Sequence, residues 1–204
     1  MIIVIHNFNK VLKVLINDLP VNHIEDNIIR CMFRLASEYK DEYIVWVFES
    51  LVPVINKEFI KEVNFNEIHT YNPLSEEFLC SEIGFADFRS VFLNINKKIK
   101  YNTWQLSGYI GVLHSPVLNN VMMNIPKNDF DYFLVRLGMT SLKHGLLVYS
   151  NPNLLSQIKD FNLYHRKSSL KQLFNFVYTN YSIKQFLLLF IAFTFSFTKA
   201  VNSE

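Results

Sequence analysis

Two carboxylates stand one residue apart at Asp129-Phe130-Asp131, where a turn runs into a segment of helical pattern. Hard oxygen ligands at that spacing can chelate a divalent ion, and either carboxylate can act as a general base on a hydroxyl. Asp129 and Asp131 are therefore the candidate catalytic residues. A helix start uses the same chemistry: Asn128 or Asp129 would cap the first N–H groups and suit the macrodipole. Just upstream, Trp104-Gln105 can stack on a sugar or base and hydrogen-bond a hydroxyl, or can be a buried Trp. Gly108 and Gly111 would let backbone approach a ligand closely, although the full GxGxxG and Walker A patterns are missing. His114 adjoins Ser115 with no nucleophile elbow around them, which gives a Ser/His hydrolase little support. His114 is thus a substrate-side candidate or a structural histidine. Glu49 follows the clearest strand of the chain and is the last substrate-binding candidate, with a helix cap as its alternative.

These residues need elements to hold them. Ile2 to Ile5 is a continuous β-branched run, as in a strand covered on both faces, and His6-Asn7-Phe8-Asn9 is a turn. Val11 to Ile16 is a second strand, ended by Asn17-Asp18-Leu19-Pro20. Ile28, Ile29, Met32, Phe33, Leu35 and Ala36 recur at helical spacing after a cap at Asp26 or Asn27. Tyr43 to Phe48 is apolar throughout and predicts a central parallel strand. Strand, helix, strand in that order implies a βαβ crossover, and ligands of open α/β sheets bind beyond the carboxyl ends of such strands. Further on, short helices are expected at Phe59 to Val63 and from Ser75 to Leu79, and strands at Ile68 to Tyr71 and Ser90 to Ile95. Lys97, Lys98 and Lys100 form a solvated turn or a phosphate-facing cluster. A helix closing on Gly145 leads into a strand at Leu146 to Tyr149. The fold class is α/β, with a domain over residues 1–155 and a C-terminal helical apolar tail over 156–204.

The 204 residues are 50% hydrophobic and 19% charged, ample for a buried core. A net charge of +2 supplies no strong basic field, so nucleic acid is not expected as a partner. Cys31 and Cys80 have no CxxC or His neighbours, so no zinc site is expected and both read as free thiols of a reducing cytoplasm. In the tail, Ser169 to Tyr181 has an amphipathic pattern, and QFLLLFIAFTFSFT follows between Lys184 and Lys199. Fourteen residues lie between those lysines, fewer than the about 20 of a bilayer span. Residues 182–199 therefore suggest an interfacial helix on a membrane surface or a helix packed on a partner domain, with a spanning helix as the third reading.

The second half resembles the closing portion of a GT-A-type glycosyltransferase of family two. Trp104-Gln105, Gly108-Tyr109-Ile110-Gly111, Asn128-Asp129-Phe130-Asp131, Arg136, Gly145 and Tyr149 fall in that family's order, with Glu49-Ser50 where its nucleotide element lies. More closely, the whole chain is similar to the N-terminal extension of certain bacterial glycosyltransferases, through IIVIHNFNKV, YIVWVFE, IKYNTWQLS, NDFDYFL, HGLLVYSNP and QLFNFVYTNYSIKQFLLLF. The resemblance implies a GT-A-like (Rossmann-like) mixed sheet flanked by helices, in an accessory module for surface polysaccharide synthesis. Implied partners are a nucleotide sugar, a glycan acceptor and a catalytic glycosyltransferase domain, with Mg or Mn as cofactor if the module is active. Implied placement is cytoplasmic, peripheral at the inner face of the cytoplasmic membrane. The sequence departs from the family at His6-Asn7-Phe8-Asn9, where no nucleotide motif is recognisable, and at Asn128, where a paired acid would stand. No metal-binding DxD lies midway. These departures imply degenerate catalysis; the alternatives are an active transferase with Asp129 as base and a non-enzymatic docking domain.

Overall fold

The computed structural model describes residues 1–8, 10–22, 25–79, 81–87, 96–120, 129–157, 161 and 163–201. The chain divides into two compact units: residues 1–75 with 96–164, and residues 76–95 with 165–204.

The first unit is α/β. The run Ile2–His6 forms β1, every residue of it buried; covering each of its isoleucines contributes roughly 1.5–3 kcal/mol. Val11–Ile16 (β2) returns antiparallel to β1. Asn17 and Asp18 then turn the chain with φ of 49° and 67°, both left-handed, as a two-residue hairpin turn of the I′ kind requires. Leu19–Val21 follows as β3, paired with β2. Leu19-Pro20 is thus an edge strand and not part of the turn expected from the sequence; at an edge, the missing proline N–H costs no ladder bond.

Helix α1 (Ile28–Glu38) starts at Asn27, whose side chain accepts from Arg30 N, and it buries the apolar stripe read from its spacing. It leads into β4 (Tyr43–Phe48), which lies parallel to β1 with Trp46 opposite Val4. A 3-10 segment, Glu49–Val54, and α2 (Lys57–Lys61), capped by Asn56, precede β5 (Glu67–Tyr71). The expected helix at Ser75 to Leu79 is absent, a 3-10 turn forming instead at Ser81–Phe85. The expected strand at 90–95 lies outside the described residues. After β6 (Tyr101–Asn102) come β7 (Ile110–His114), α3 (Ser115–Asn120), α4 (Phe130–Lys143) and β8 (Leu147–Ser150).

The eight strands form one mixed sheet in the order β3-β2-β1-β4-β7-β5-β8-β6. Strands β1, β4, β5 and β8 run one way, and β7 is inserted antiparallel between β4 and β5. Gly111 shows why β7 fits there. The wholly buried Trp46 indole lies across it, so that a Cβ on Gly111 would sit 2.1 Å from the ring. The indole N–H donates to Ser107 O at 2.8 Å, satisfying the one polar atom of that side chain.

In the second unit, Ser169 caps α5 (Leu170–Asn180) through a complete capping box with Gln172, and α6 (Ile183–Val201) follows directly. Leu173, Phe176 and Val177 of α5, Leu189 of α6, and Phe78, Leu79, Ile83 and Ala86 from the middle of the chain are buried. Two polar ties join the parts: Ser168 N donates to Phe78 O at 2.8 Å, and the Tyr181 hydroxyl to Asp87 at 2.6 Å.

Candidate functional site

Strand order reverses between β1 and β4. From its carboxyl end β1 runs to β2 on one side, while β4 runs toward β5 on the other. Such a switch point is where open α/β sheets place ligands. Here His6 and Phe48 are register partners at the two strand ends, and Glu49 comes next, exposed at the start of its 3-10 segment. The residues around them are mostly rings. Phe8 has φ of 69°, a left-handed conformation costly for an aromatic residue. Packing over-determines it: its ring centroid lies 5.0 Å from Phe48, 5.1 Å from Tyr109, 5.4 Å from His6 and 5.7 Å from Tyr164. Phe8 N also donates to His6 Nδ1 at 2.9 Å, which leaves the imidazole proton on Nε2. The Tyr109 hydroxyl donates to the carbonyl of Tyr164.

Two of the sequence candidates meet at this edge. A Cβ placed on Gly108 would lie 2.5 Å from Asp131 Oδ1 and 2.6 Å from the Phe8 ring, so the glycine admits a carboxylate to the ring cluster. Asp131 is buried there. Asp129 has the other role the sequence allowed: it is the N-cap of α4 and accepts from Tyr132 N at 3.0 Å.

The remaining candidates go elsewhere. Trp104 and Gln105 are 1% and 4% exposed, so the ligand-stacking role is replaced by packing. The cause is Gly138, which brings α4 so near that a Cβ would lie 2.1 Å from the Trp104 carbonyl oxygen. Gly111 makes room for Trp46 and not for a ligand. His114 ends β7 at the opposite end of the strands, beside the amino end of β4, with Nε2 3.0 Å from Asp41 Oδ1 and its ring 5.2 Å from Tyr43. It borders an open cavity of about 460 Å³ with Phe65, Asn66, Pro116, Val117, His144 and Leu146. In the lysine turn, Lys97 donates to the carbonyls of Leu74 and Asn72, a structural use of its charge.

One polar cluster has no counterpart among the sequence candidates. Glu67 and His69, two apart on β5, share a face, and His69 Nε2 lies 2.7 Å from Glu67 Oε2. On its other side, His69 Nδ1 lies 3.3 Å from Asn151 Nδ2. Asn151 Oδ1 accepts from Asn153 N, so Nδ2 is the atom turned to the ring, and as a donor it fixes the proton on His69 Nε2. Lys100 Nζ completes the group, 3.8 Å from Glu67 Oε2 and 3.8 Å above the Tyr149 ring. Burial holds His69 below the usual imidazole value, against the opposing pull of Glu67. Burial would raise the Glu67 carboxyl, but the hydrogen bond from His69, with Asn64 and Lys100, brings it below its usual value. The E-x-H spacing on a strand was the available sequence signal; Asn151, eighty-two residues away, carried none.

Among the described residues, no three His, Cys, Asp or Glu gather as a metal site, and no helix is long and apolar enough to cross a membrane. Cys31 is buried and free, its thiol pushed up to about 11 by that burial. No protein-family model matches the chain, and neither a curated protein nor a solved structure matches it.

Proposed function

We propose that the chain is a glycosyltransferase-related, GT-A-like module, similar to the N-terminal accessory domain of a bacterial family-two glycosyltransferase and degenerate in catalysis. In this reading it serves surface polysaccharide synthesis beside a catalytic domain, at the inner face of the cytoplasmic membrane. The motif resemblance supports the family, and a mixed sheet flanked by helices with a βαβ switch point is compatible with it. The observation that carries the degeneracy is the ring cluster of Phe8, Phe48, Tyr109 and Tyr164, packed where a nucleotide would lie. The acids agree: Asp129 serves a helix end and Asp131 is buried against Gly108, so the base and the phosphate-neutralising group a transferase needs are not both on offer.

The test is incubation of the full chain with UDP-sugars and GDP-sugars, with and without manganese, and measurement of nucleoside diphosphate released. No release above buffer is expected, and Glu49→Ala should change nothing. Release that is lost in Glu49→Ala would overturn the degenerate reading in favour of an active transferase.

A further inference from the structure

Helices α5 and α6 pack on each other through aromatic residues and leave apolar side chains, including the outer parts of Phe190 and Tyr178, exposed to solvent. The Phe174 ring lies 5.7 Å from Phe186, 6.4 Å from Phe190 and 5.5 Å from Phe193, and Tyr178 lies 5.8 Å from Phe186. On the outer side of α6, Ile183, Leu187, Phe190 and Ile191 follow at i, i+4, i+7 and i+8, one helical face, and are 61, 50, 52 and 48% exposed. Leu170 and Tyr178 of α5 add to it, 52 and 67% exposed. An exposed apolar stripe along α6, with further exposed apolar side chains on the helix packed against it, marks an interaction surface.

Charge decides what covers it. Residues 163–201 hold five of the chain's twenty Lys and Arg and none of its eighteen Asp and Glu. Lys167 is engaged by Glu76 at 2.6 Å, but Lys171 at the start of α5 and Lys184 at the start of α6 are exposed beside the stripe. A second copy docked through the same hairpin would offer these lysines no acid from residues 163–201. A lipid surface bearing anionic headgroups offers both an acyl boundary for the stripe and phosphates for the lysines.

We infer that the α5–α6 hairpin binds an anionic lipid surface, with α6 in the interfacial plane, Ile183, Leu187, Phe190 and Ile191 in the acyl boundary, and Lys171 and Lys184 at the headgroups. The inference rests on the proposed placement at the membrane face and specifies its chemistry. Flotation of the full chain with phosphatidylcholine vesicles, with and without phosphatidylglycerol, tests it. The chain floats with the phosphatidylglycerol vesicles and is released by high salt. Lys171→Gln and Lys184→Gln each weaken that partitioning roughly fivefold. Leu187→Asp with Ile191→Asp weakens it at least about tenfold, with helical circular dichroism unchanged because both side chains are exposed and outside the ring packing between the helices. Equal flotation on both vesicle types would overturn the anionic partner while the membrane placement stood. Flotation on neither would overturn both, and a dimer in solution dissolved by Leu187→Asp would assign the face to a second copy.

Discussion

At Gly138 a methyl group has nowhere to go, because the atom it would meet is the Trp104 backbone carbonyl. Gly138→Ala should cost about 2–3 kcal/mol, whereas Gly84→Ala, with open space around its Cβ, should stay within about 0.5 kcal/mol; urea unfolding of the two variants checks the contrast. The Glu67–His69–Asn151 cluster makes a separate prediction about pH. Burial disfavours a second proton on His69 more than Glu67 favours it, and the native state therefore binds that proton less readily than the unfolded chain. Stability from this group is complete above the ordinary value of 6.5 and is lost as pH falls below it toward the depressed native value. Glu67, also depressed, adds a second loss once pH falls below its ordinary 4.5. The urea midpoint should decline from about pH 7 to pH 5, and the decline should flatten in His69→Gln.

Helix α4 carries the test that separates capping from chemistry. Asp129 accepts from Tyr132 N, and Asn caps as well as Asp does. Asp129→Ala should therefore lose about 1 kcal/mol and Asp129→Asn much less, by thermal or urea unfolding. A variant Asp129→Asn as unstable as Asp129→Ala would show that the carboxylate charge itself, and not the cap, is what the site requires. The helices read most faithfully from sequence were those with this kind of local signal: Asn27, Asp129 and Ser169 each cap as their residue types suggest. The strand β7 went unread because Gly111 and His114 interrupt its apolar pattern, and its glycine is explained only by Trp46, sixty-five residues earlier.

At the scale of the molecule, the second unit is discontinuous: residues 76–95 join a tail that begins at residue 165. Truncation after residue 164 removes α5 and α6 and leaves Phe78, Leu79 and Ile83 without their cover. The expected result is a rise in anilinonaphthalene sulfonate fluorescence and early proteolysis within residues 76–87, while the sheet of the first unit keeps its protection. Cleavage of 76–87 at the rate seen in the full chain would contradict this.

The sequence by itself determined the local elements: the β-branched run of β1, the apolar stripe of α1 and the continuous strand β4, with the caps of α1 and α4 narrowed to Asp26 or Asn27 and to Asn128 or Asp129. Each depends on residues within a few positions of one another, where period and hydrogen-bonding type are sufficient physics. It also left Asp129 with three roles, metal ligand, general base or helix cap, without choosing among them. Only the tertiary structure decided which glycine meets which ring, that Asp131 is buried against Gly108, that His114 lies at the far end of the strands, and that Glu67, His69 and Asn151 form one network. Those outcomes depend on strand order and on packing between residues distant in the chain, and in a close-packed interior a contact is fixed by the whole surrounding shape.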